Sequence, residues 1–337
     1  MRTFIFGAGA SVHAGYPLAS ELWRATQGWA NAVLPESHDF RTYVRQMNEA
    51  FDLSRPFELV PTDLDDRIDL LTKKGGVSEE KVYLVYMRSG IATMLRCFFD
   101  SIRSHPAEVY RVFCDRVLTA GDAVITFNYD LALDREMRRS GKWSVDNGYG
   151  FRIDRPSGPG SSCLLLKLHG STNWNGEIFE GSHGFSQISP GMGSLGRRPV
   201  IERSELEFLE YKGISDSSCH DRTKAKIESL IMPAAKKKFY KQTSLGREWE
   251  DFWDALWEQA GEALYESEEV HIIGYSVPEY DERARALLSG NMRPEALIKV
   301  CCHGGTGAVV EALTQLCTSN KVQPASATTF EGLVASF

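Results

Sequence analysis

The sequence lacks the cysteine pairs that zinc modules and disulfide frameworks use. Its seven cysteines are odd in number, and no two of them form a Cys-x-x-Cys pair. The pattern therefore indicates neither a four-cysteine zinc site nor a set of disulfide bonds, and we predict that the protein holds no metal. Cysteines without such a framework are typical of a reducing compartment, so we expect a cytoplasmic protein with reduced thiols.

The sequence also lacks a long hydrophobic run and an excess of positive charge. No stretch approaches the roughly 18 uninterrupted apolar residues of a membrane span, and an apolar strand starts at once, so we expect neither a membrane segment nor a removable leader. The 38 Lys and Arg residues are outnumbered by 45 Asp and Glu residues, which gives a formal charge of −7. This balance argues against direct nucleic-acid binding. The content of 42% hydrophobic and 25% charged residues is typical of a globular enzyme.

Strand-like apolar runs recur along the chain, and a turn and a helical pattern follow most of them. This alternation predicts an α/β fold, a three-layer and largely parallel Rossmann-like sheet with helices on both faces. The predicted strands are residues 2–6, 122–127, 163–168, 269–274 and 297–302.

Helical patterns dominate the long segment between the first two predicted strands. We expect residues 34–118 to form a helical insertion or cap within a single domain of residues 1–337. Glycine- and serine-rich segments at 148–162 and 181–198 are predicted to be loops. The helical patterns cover residues 18–33, 40–53, 63–73, 78–104 and 107–118.

The first strand runs into a turn made only of very small residues. Such side chains let backbone N–H groups approach a phosphate closely, and a following helix adds a favourable dipole. The dinucleotide fingerprint Gly-x-Gly-x-x-Gly is incomplete, because Val12 stands in place of its third glycine, so a hydride-transferring dehydrogenase is disfavoured. A tight turn without a ligand remains an alternative. The turn consists of Gly7, Ala8, Gly9, Ala10 and Ser11.

Polar side chains follow two later strands at the point where each strand ends. Asn128 and Asp130 follow the second strand, and His169 follows the third. Ligands of open parallel sheets bind beyond the carboxyl ends of the strands. Asn128 can orient a hydroxyl group or a water molecule, while Asp130 is either a ligand or the cap of a helix that starts at Leu131. Histidine titrates near neutral pH and suits acid–base work, although a bond to a neighbouring backbone group is the simpler role for His169.

Two further strand ends open into turns of small residues. Gly274, Tyr275 and Ser276 follow the fourth strand, and Pro278 suits the first turn of the helix that we expect next. Ser276, or Thr306 after the fifth strand, can hydrogen-bond a ribose or phosphate oxygen. Alone, these turns carry little information.

Taken in order, four of these segments resemble the sirtuin-like NAD-binding family. Sirtuin deacetylases contain a Gly-Ala-Gly-x-Ser turn, a Thr-Gln-Asn-Ile-Asp segment, a His-Gly pair with the catalytic histidine, and a Gly-Thr/Tyr-Ser turn. The matching segments here are Gly7–Ser11, Thr126–Asp130, Leu168–Ser171 and Gly274–Pro278. The resemblance implies a sirtuin-type fold with Asn128 and His169 as catalytic residues. It implies that NAD is bound by Gly7, Ala8, Gly9, Ala10, Ser11, Asp130, Gly274, Tyr275 and Ser276.

The chain departs from the deacetylases in one informative respect. Their zinc module, which helps to hold an acylated peptide, needs two Cys-x-x-Cys pairs, and this chain has none. The segments Phe127–Asp130 and Leu168–Trp174 instead resemble a bacterial sirtuin-like branch whose members hydrolyse NAD. Members of that branch commonly act in antiphage defence, where depletion of NAD arrests the growth of the infected cell.

This resemblance implies an NAD hydrolase that uses NAD as its substrate and needs no metal. The turn would hold the pyrophosphate, Asn128 would position the ribose and the water, and His169 would be the base. Because uncontrolled NAD cleavage would kill the host, we also expect a homo-oligomer, a separate activating or regulatory protein, or both. The alternatives are a zinc-free protein deacylase or ADP-ribosyltransferase, and a non-catalytic sensor of NAD or ADP-ribose.

Overall fold

The computed structural model describes most of the chain, and the described part divides into two compact units. The first unit comprises Met1–Tyr16, His105–Gly170 and Phe252–Phe337, and the second comprises Pro17–Ser104 and Ser171–Asp251. The described residues are 1–36, 38–50, 59–73, 79–102, 105–144, 149–150, 162–178, 195–201, 227–231 and 246–337.

The elements are numbered along the chain. The strands are β1 (Arg2–Phe6), β2 (Ala123–Thr126), β3 (Leu164–Lys167), β4 (Gly170–Ile178), β5 (Leu195–Ile201), β6 (Ile227–Ile231), β7 (Glu269–Ile273), β8 (Leu297–Cys301) and β9 (Lys321–Pro324). The α-helices are α1 (Leu22–Val33), α2 (Asp39–Ala50), α3 (Leu59–Lys73), α4 (Glu79–Ile102), α5 (Glu108–Val112), α6 (Ala132–Arg139), α7 (Gly246–Glu266), α8 (Glu282–Asn291), α9 (Thr306–Leu316) and α10 (Phe330–Ala335). Shorter helical turns cover Ala8–Ala14, Ala19–Glu21 and Phe113–Val117.

The first unit is built on a six-stranded sheet in the order β3-β2-β1-β7-β8-β9. Every neighbouring pair is parallel, which confirms the predicted α/β class. Numbered within this sheet alone, the order is 3-2-1-4-5-6, so the sheet grows outward from β1 in both directions. The direction of growth reverses between β1 and β7, and parallel sheets form their ligand crevice at such a reversal.

The strands of this sheet are almost continuously apolar because both of their faces are covered. Phe4, Ile5 and Phe6 of β1 are fully buried, as are the central residues of β2 and β7. The five predicted strands are confirmed to within about one residue at each end. The sixth strand, β9, was not predicted, because Lys-Val-Gln-Pro contains no apolar run.

The second unit contains helices α1 to α4 and a three-stranded sheet in the order β5-β4-β6. Strands β4 and β5 are antiparallel, with Trp174 opposite Ile201. Four predicted helical patterns correspond to α1–α4, whereas the pattern at 107–118 corresponds to α5 and the turn after it, in the first unit.

The three-stranded sheet was not predicted from the sequence. The predicted loop at 181–198 overlaps the start of β5, because a glycine-rich pattern hides a short strand. The rest of that loop, and most of the predicted loop at 148–162, lie outside the described residues. Among the described helices, none combines the length and the apolar character needed to cross a membrane.

Candidate functional site

The predicted site residues lie at the carboxyl edge of the six-stranded sheet. Phe6 at the end of β1 lies opposite Thr126 of β2 and Ile273 of β7, and β2 and β3 also end opposite each other. Asn128 follows the end of β2 by two residues, and His169 follows the end of β3 by two residues. Parallel, in-register strand ends therefore deliver both side chains at the same level of the sheet.

Two of the predicted turns pack directly against each other. The N–H of Gly9 donates a hydrogen bond to Gly274 O (3.0 Å). A Cβ atom on Gly7 would lie 2.5 Å from Tyr275 Cα, and one on Gly274, where φ is 62°, would lie 2.2 Å from Ala10 N. Close backbone approach between the turns thus requires glycine at these positions.

This packing uses several N–H groups of the predicted phosphate turn. Gly7 N–H donates to Ile273 O (3.0 Å), and Ala10 N–H donates to Gly7 O (2.9 Å). Together with the bond from Gly9, three donors of the turn are already paired within the protein. Ala8 and Gly9 are the partly exposed members of the turn.

Ser11 lies at the centre of a buried hydrogen-bond cluster, which we call the Ser11 cluster. Its Oγ donates to Asp130 Oδ2 (2.8 Å) and accepts from Asn128 Nδ2 (3.0 Å). The Tyr110 hydroxyl lies 2.9 Å from the same Oγ. Because serine has a single proton and a carboxylate only accepts, Tyr110 must be the donor. The Ser11 hydroxyl is therefore fully used by protein groups.

The same cluster fixes the orientation of the Asn128 amide. Asn128 Nδ2 donates to Gly7 O (3.0 Å) as well as to Ser11. The side chain is 9% exposed. Both amide hydrogens are thus committed, and the Oδ1 atom, which takes part in neither bond, is the acceptor that Asn128 can offer to a ligand.

Tyr110 serves this cluster as a neutral donor. Burial raises the pKa of its phenol well above the ordinary value, and the charge of Asp130 raises it further. The phenol therefore keeps its proton at neutral pH. Tyr110 was not predicted as a site residue, since a tyrosine inside a helical pattern carries no distinguishing signal.

Asp130 has a structural role on each of its oxygens. While Oδ2 accepts from Ser11, Oδ1 accepts from the N–H of Ala132 (2.9 Å), the first residue of α6. Asp130 thus pairs the first N–H of the helix, but the helix starts at Ala132 with Leu131 as its N-cap, so Asp130 lies one residue before the cap position that was predicted for it. The Asp130 carbonyl accepts from Lys167 Nζ, which also contacts Asp134 (3.1 Å).

His169 belongs to a second group of residues, which we call the His169 cluster. Its Nε2 lies 3.3 Å from Asp281 Oδ2, without the alignment of a hydrogen bond. The Tyr275 hydroxyl donates to the same Oδ2 (2.6 Å), and the N–H of Ala284 donates to Oδ1 (3.2 Å). The Phe127 ring packs on both His169 and Tyr275, with centroid distances of 4.8 and 4.2 Å. His169 is 6% exposed, and Asp281 is fully buried.

Asp281 is ionised in this setting. Burial raises the pKa of its carboxyl group, but the nearby His169 imidazole and the hydrogen bonds from Tyr275 and Ala284 outweigh that effect and lower the pKa. A fully buried carboxylate is therefore placed beside the imidazole.

Asp281 was not predicted as a site residue, and the helix after it starts later in the chain than predicted. Helix α8 starts at Glu282 with Asp281 as its N-cap, so Pro278 lies before the helix and the prediction for its first turn was wrong. An aspartate with helical sequence directly after it is a usable capping signal, and it competes with proline as a start marker.

The two hydroxyl groups that were predicted to bind a ribose or phosphate oxygen differ in their surroundings. Ser276 is exposed. The Thr306 hydroxyl donates a hydrogen bond to Cys302 O (2.7 Å) within its own turn.

Two adjacent clusters thus form at one edge of an α/β parallel sheet. Asn128, Asp130 and Ser11 belong to one, and His169 and Tyr275 belong to the other. They are joined by the Phe127–Asn128 peptide and by the packed turns at Gly9 and Gly274.

Within the described part of the chain, no group of three His, Cys, Asp or Glu side chains is arranged to hold a metal ion. No protein-family model matches the chain, and no curated protein matches it either.

Proposed function

We propose that the protein is an NAD hydrolase, with a Rossmann-like sheet of the sirtuin type, that cleaves NAD to nicotinamide and ADP-ribose. The observation that carries the proposal is the placement of Asn128 and His169 at the carboxyl ends of the neighbouring strands β2 and β3. The strand order supports it, because sheets in the order 3-2-1-4-5-6 bind dinucleotides at this edge, beside the reversal point.

In the proposed reaction, the bond between the ribose C1′ and the nicotinamide nitrogen breaks. Positive charge moves from the pyridinium ring to the ribosyl group, as in glycoside cleavage, and nicotinamide leaves as a neutral molecule. A water oxygen bonds to C1′, and His169 takes the proton of that water. A positioned acid–base group contributes about 10² to 10⁴ to the rate of such steps.

The geometry refines the role of each predicted residue. Asn128 presents Oδ1, so in this proposal it accepts a hydrogen bond from a ribose hydroxyl or from the attacking water. Ser11 fixes Asn128 and does not bind phosphate directly, because its hydroxyl has no remaining capacity. The pyrophosphate then lies against the partly exposed Ala8 and Gly9.

The proposal is tested by following NAD and its products in solution. The purified protein is incubated with NAD, alone and with proteins encoded by neighbouring genes, and free nicotinamide and ADP-ribose are measured by chromatography. We expect slow release alone and faster release with an activator. Asn128→Ala and His169→Ala should lower release by about 10²-fold or more, because each removes a group that acts on the reacting atoms.

His303→Ala is the matched control. His303 is exposed and lies just after the end of β8, so the variant removes a strand-end histidine outside both clusters. It should keep full activity. Full activity in both site variants would refute the assignment, provided that thermal unfolding shows all proteins to be folded.

The same experiment separates the other candidate functions. Acyl-ADP-ribose or an ADP-ribosylated protein would indicate a deacylase or a transferase, and binding without consumption would indicate a sensor. We also propose an antiphage role, with activity controlled by self-assembly or by a partner protein. In infected cells, NAD should then fall with the wild-type protein and stay constant with His169→Ala.

A further inference from the structure

We infer that Asp281 is a positioning residue for His169, holding the imidazole in place and stabilising the protonated form that the reaction creates. The inference rests on the proposed function and extends it to a residue that the sequence motifs do not identify. Its basis is geometric: a fully buried carboxylate oxygen lies 3.3 Å from His169 Nε2.

Asp281 is itself held rigidly. Its Oδ2 accepts a hydrogen bond from the Tyr275 hydroxyl (2.6 Å), and its Oδ1 accepts one from the N–H of Ala284 in the first turn of α8 (3.2 Å). One oxygen is therefore fixed by the helix start, while the other is held by Tyr275 and lies 3.3 Å from His169 Nε2. Asp281 Oδ2 is thereby held within ion-pair distance of one ring nitrogen, Nε2.

The chemistry of the proposed step requires such a partner. Water gives its oxygen to C1′ and its proton to His169, so a neutral imidazole becomes a cation in a nearly buried position. A buried cation without a counter-charge is unfavourable, and the nearby carboxylate compensates for it. The proton later returns to solvent, which restores the neutral base.

The other groups around His169 do not supply this charge. The rings of Phe127, Tyr129 and Trp257 pack near the imidazole, and Tyr275 contacts Asp281. Arg283 belongs to α8, and its guanidinium lies 4.5 Å from the centre of the Trp257 ring. This guanidinium carries the same charge as the imidazolium. Among these described neighbours, Asp281 alone is an anion.

One test needs no enzymatic activity. The Asp281 carboxyl group is titrated by ¹³C NMR in the wild-type protein and in His169→Gln, with Asp281→Asn used for assignment. His169 lowers the pKa of Asp281, so removing the imidazole should raise it. Equal titration curves in the two proteins would overturn the inference, whether or not the protein hydrolyses NAD.

The second test measures catalysis across pH. Asp281→Asn keeps the shape and an oxygen for the helix start but removes the charge. We expect kcat/KM to fall about 10²-fold, with KM for NAD little changed, and the acid limb of the pH profile to move to lower pH because the imidazole is then protonated less readily. A folded Asp281→Asn protein with the wild-type pH profile would contradict the inference.

Asp122→Asn is the matched control for this test. Asp122 is also a buried carboxylate, but it pairs with Arg2 (2.6 Å) at the opposite end of the strands. We expect the loss of this charge to lower stability without altering the environment of His169. The control should therefore leave the pH profile in place, which separates a general loss of stability from the specific effect of Asp281.

Discussion

Ser11 shows how a single small residue can act through its neighbours. The sequence predicts a phosphate ligand, but the Ser11 hydroxyl donates to Asp130 and accepts from Asn128 and Tyr110. All of its hydrogen-bonding capacity is thereby used. Its contribution to the proposed site is to set the orientation of the Asn128 amide, which leaves Oδ1 for the ligand.

His271 is a buried histidine that belongs to neither cluster. It lies on β7, stacked on Phe4 with a centroid distance of 4.9 Å, and its Nε2 is 2.5 Å from Glu269 Oε1. Burial lowers the pKa of His271 to about 4, even though Glu269 opposes the shift. The folded protein therefore keeps this imidazole neutral at pH values where the unfolded chain protonates it.

The sign of the resulting pH dependence follows from proton uptake on unfolding. The contribution of His271 to stability is complete above about pH 6.5 and is lost as the pH falls toward 4. We expect the free energy of unfolding to drop between pH 7 and pH 4.5 by about 2 kcal/mol more in the wild-type protein than in His271→Leu. Urea unfolding at both pH values measures this difference, and parallel losses in the two proteins would contradict it.

At the scale of elements, the two packed turns constrain the carboxyl edge of the sheet. Gly274 has φ of 62°, and Val277, three residues later, has φ of 51° although it is β-branched. Such a conformation is rare for valine and costs roughly 1–3 kcal/mol. This strained segment links β7 to Asp281, so the strain lies within the loop that carries the carboxylate to His169.

Replacing Gly274 tests the contact between the turns. In Gly274→Ala, the new Cβ would lie 2.2 Å from Ala10 N in a backbone conformation that alanine rarely adopts. We expect a loss of stability of about 3 kcal/mol or more. The control is Gly290→Ala in α8, where nothing lies within 4 Å of the new Cβ and the change should be neutral or stabilising by up to about 1 kcal/mol. Similar unfolding temperatures for the two variants would be inconsistent with this packing.

The elements differ in how much the sequence reveals about them. The central strands were predicted because burial on both faces requires continuous apolar runs, of which Phe4–Phe6 is one. Strand β9 and the three-stranded sheet lack such runs. The start of α8 was misplaced because proline at 278 and aspartate at 281 are competing start signals, and the geometry of the cap decides between them.

At the scale of the whole molecule, the sheet brings together segments that are far apart in the chain. The turn at Gly7, the residues near Asn128, and His169 with Asp281 meet because β3, β2, β1 and β7 are neighbours in register. The sequence predicts the ends of these strands but not their order. The sequence therefore predicted residues of both clusters. The hydrogen bonds of Ser11 and the short distance between Asp281 and His169 are found only in the structure.

The most direct test of the proposed site is a crystal structure of His169→Ala with NAD, since this variant should bind the substrate without cleaving it. We predict intact NAD at the carboxyl edge, with its nicotinamide ribose beside Asn128 Oδ1 and its pyrophosphate against Ala8 and Gly9. NAD bound elsewhere on the protein, away from both Asn128 and the position of residue 169, would contradict the proposal.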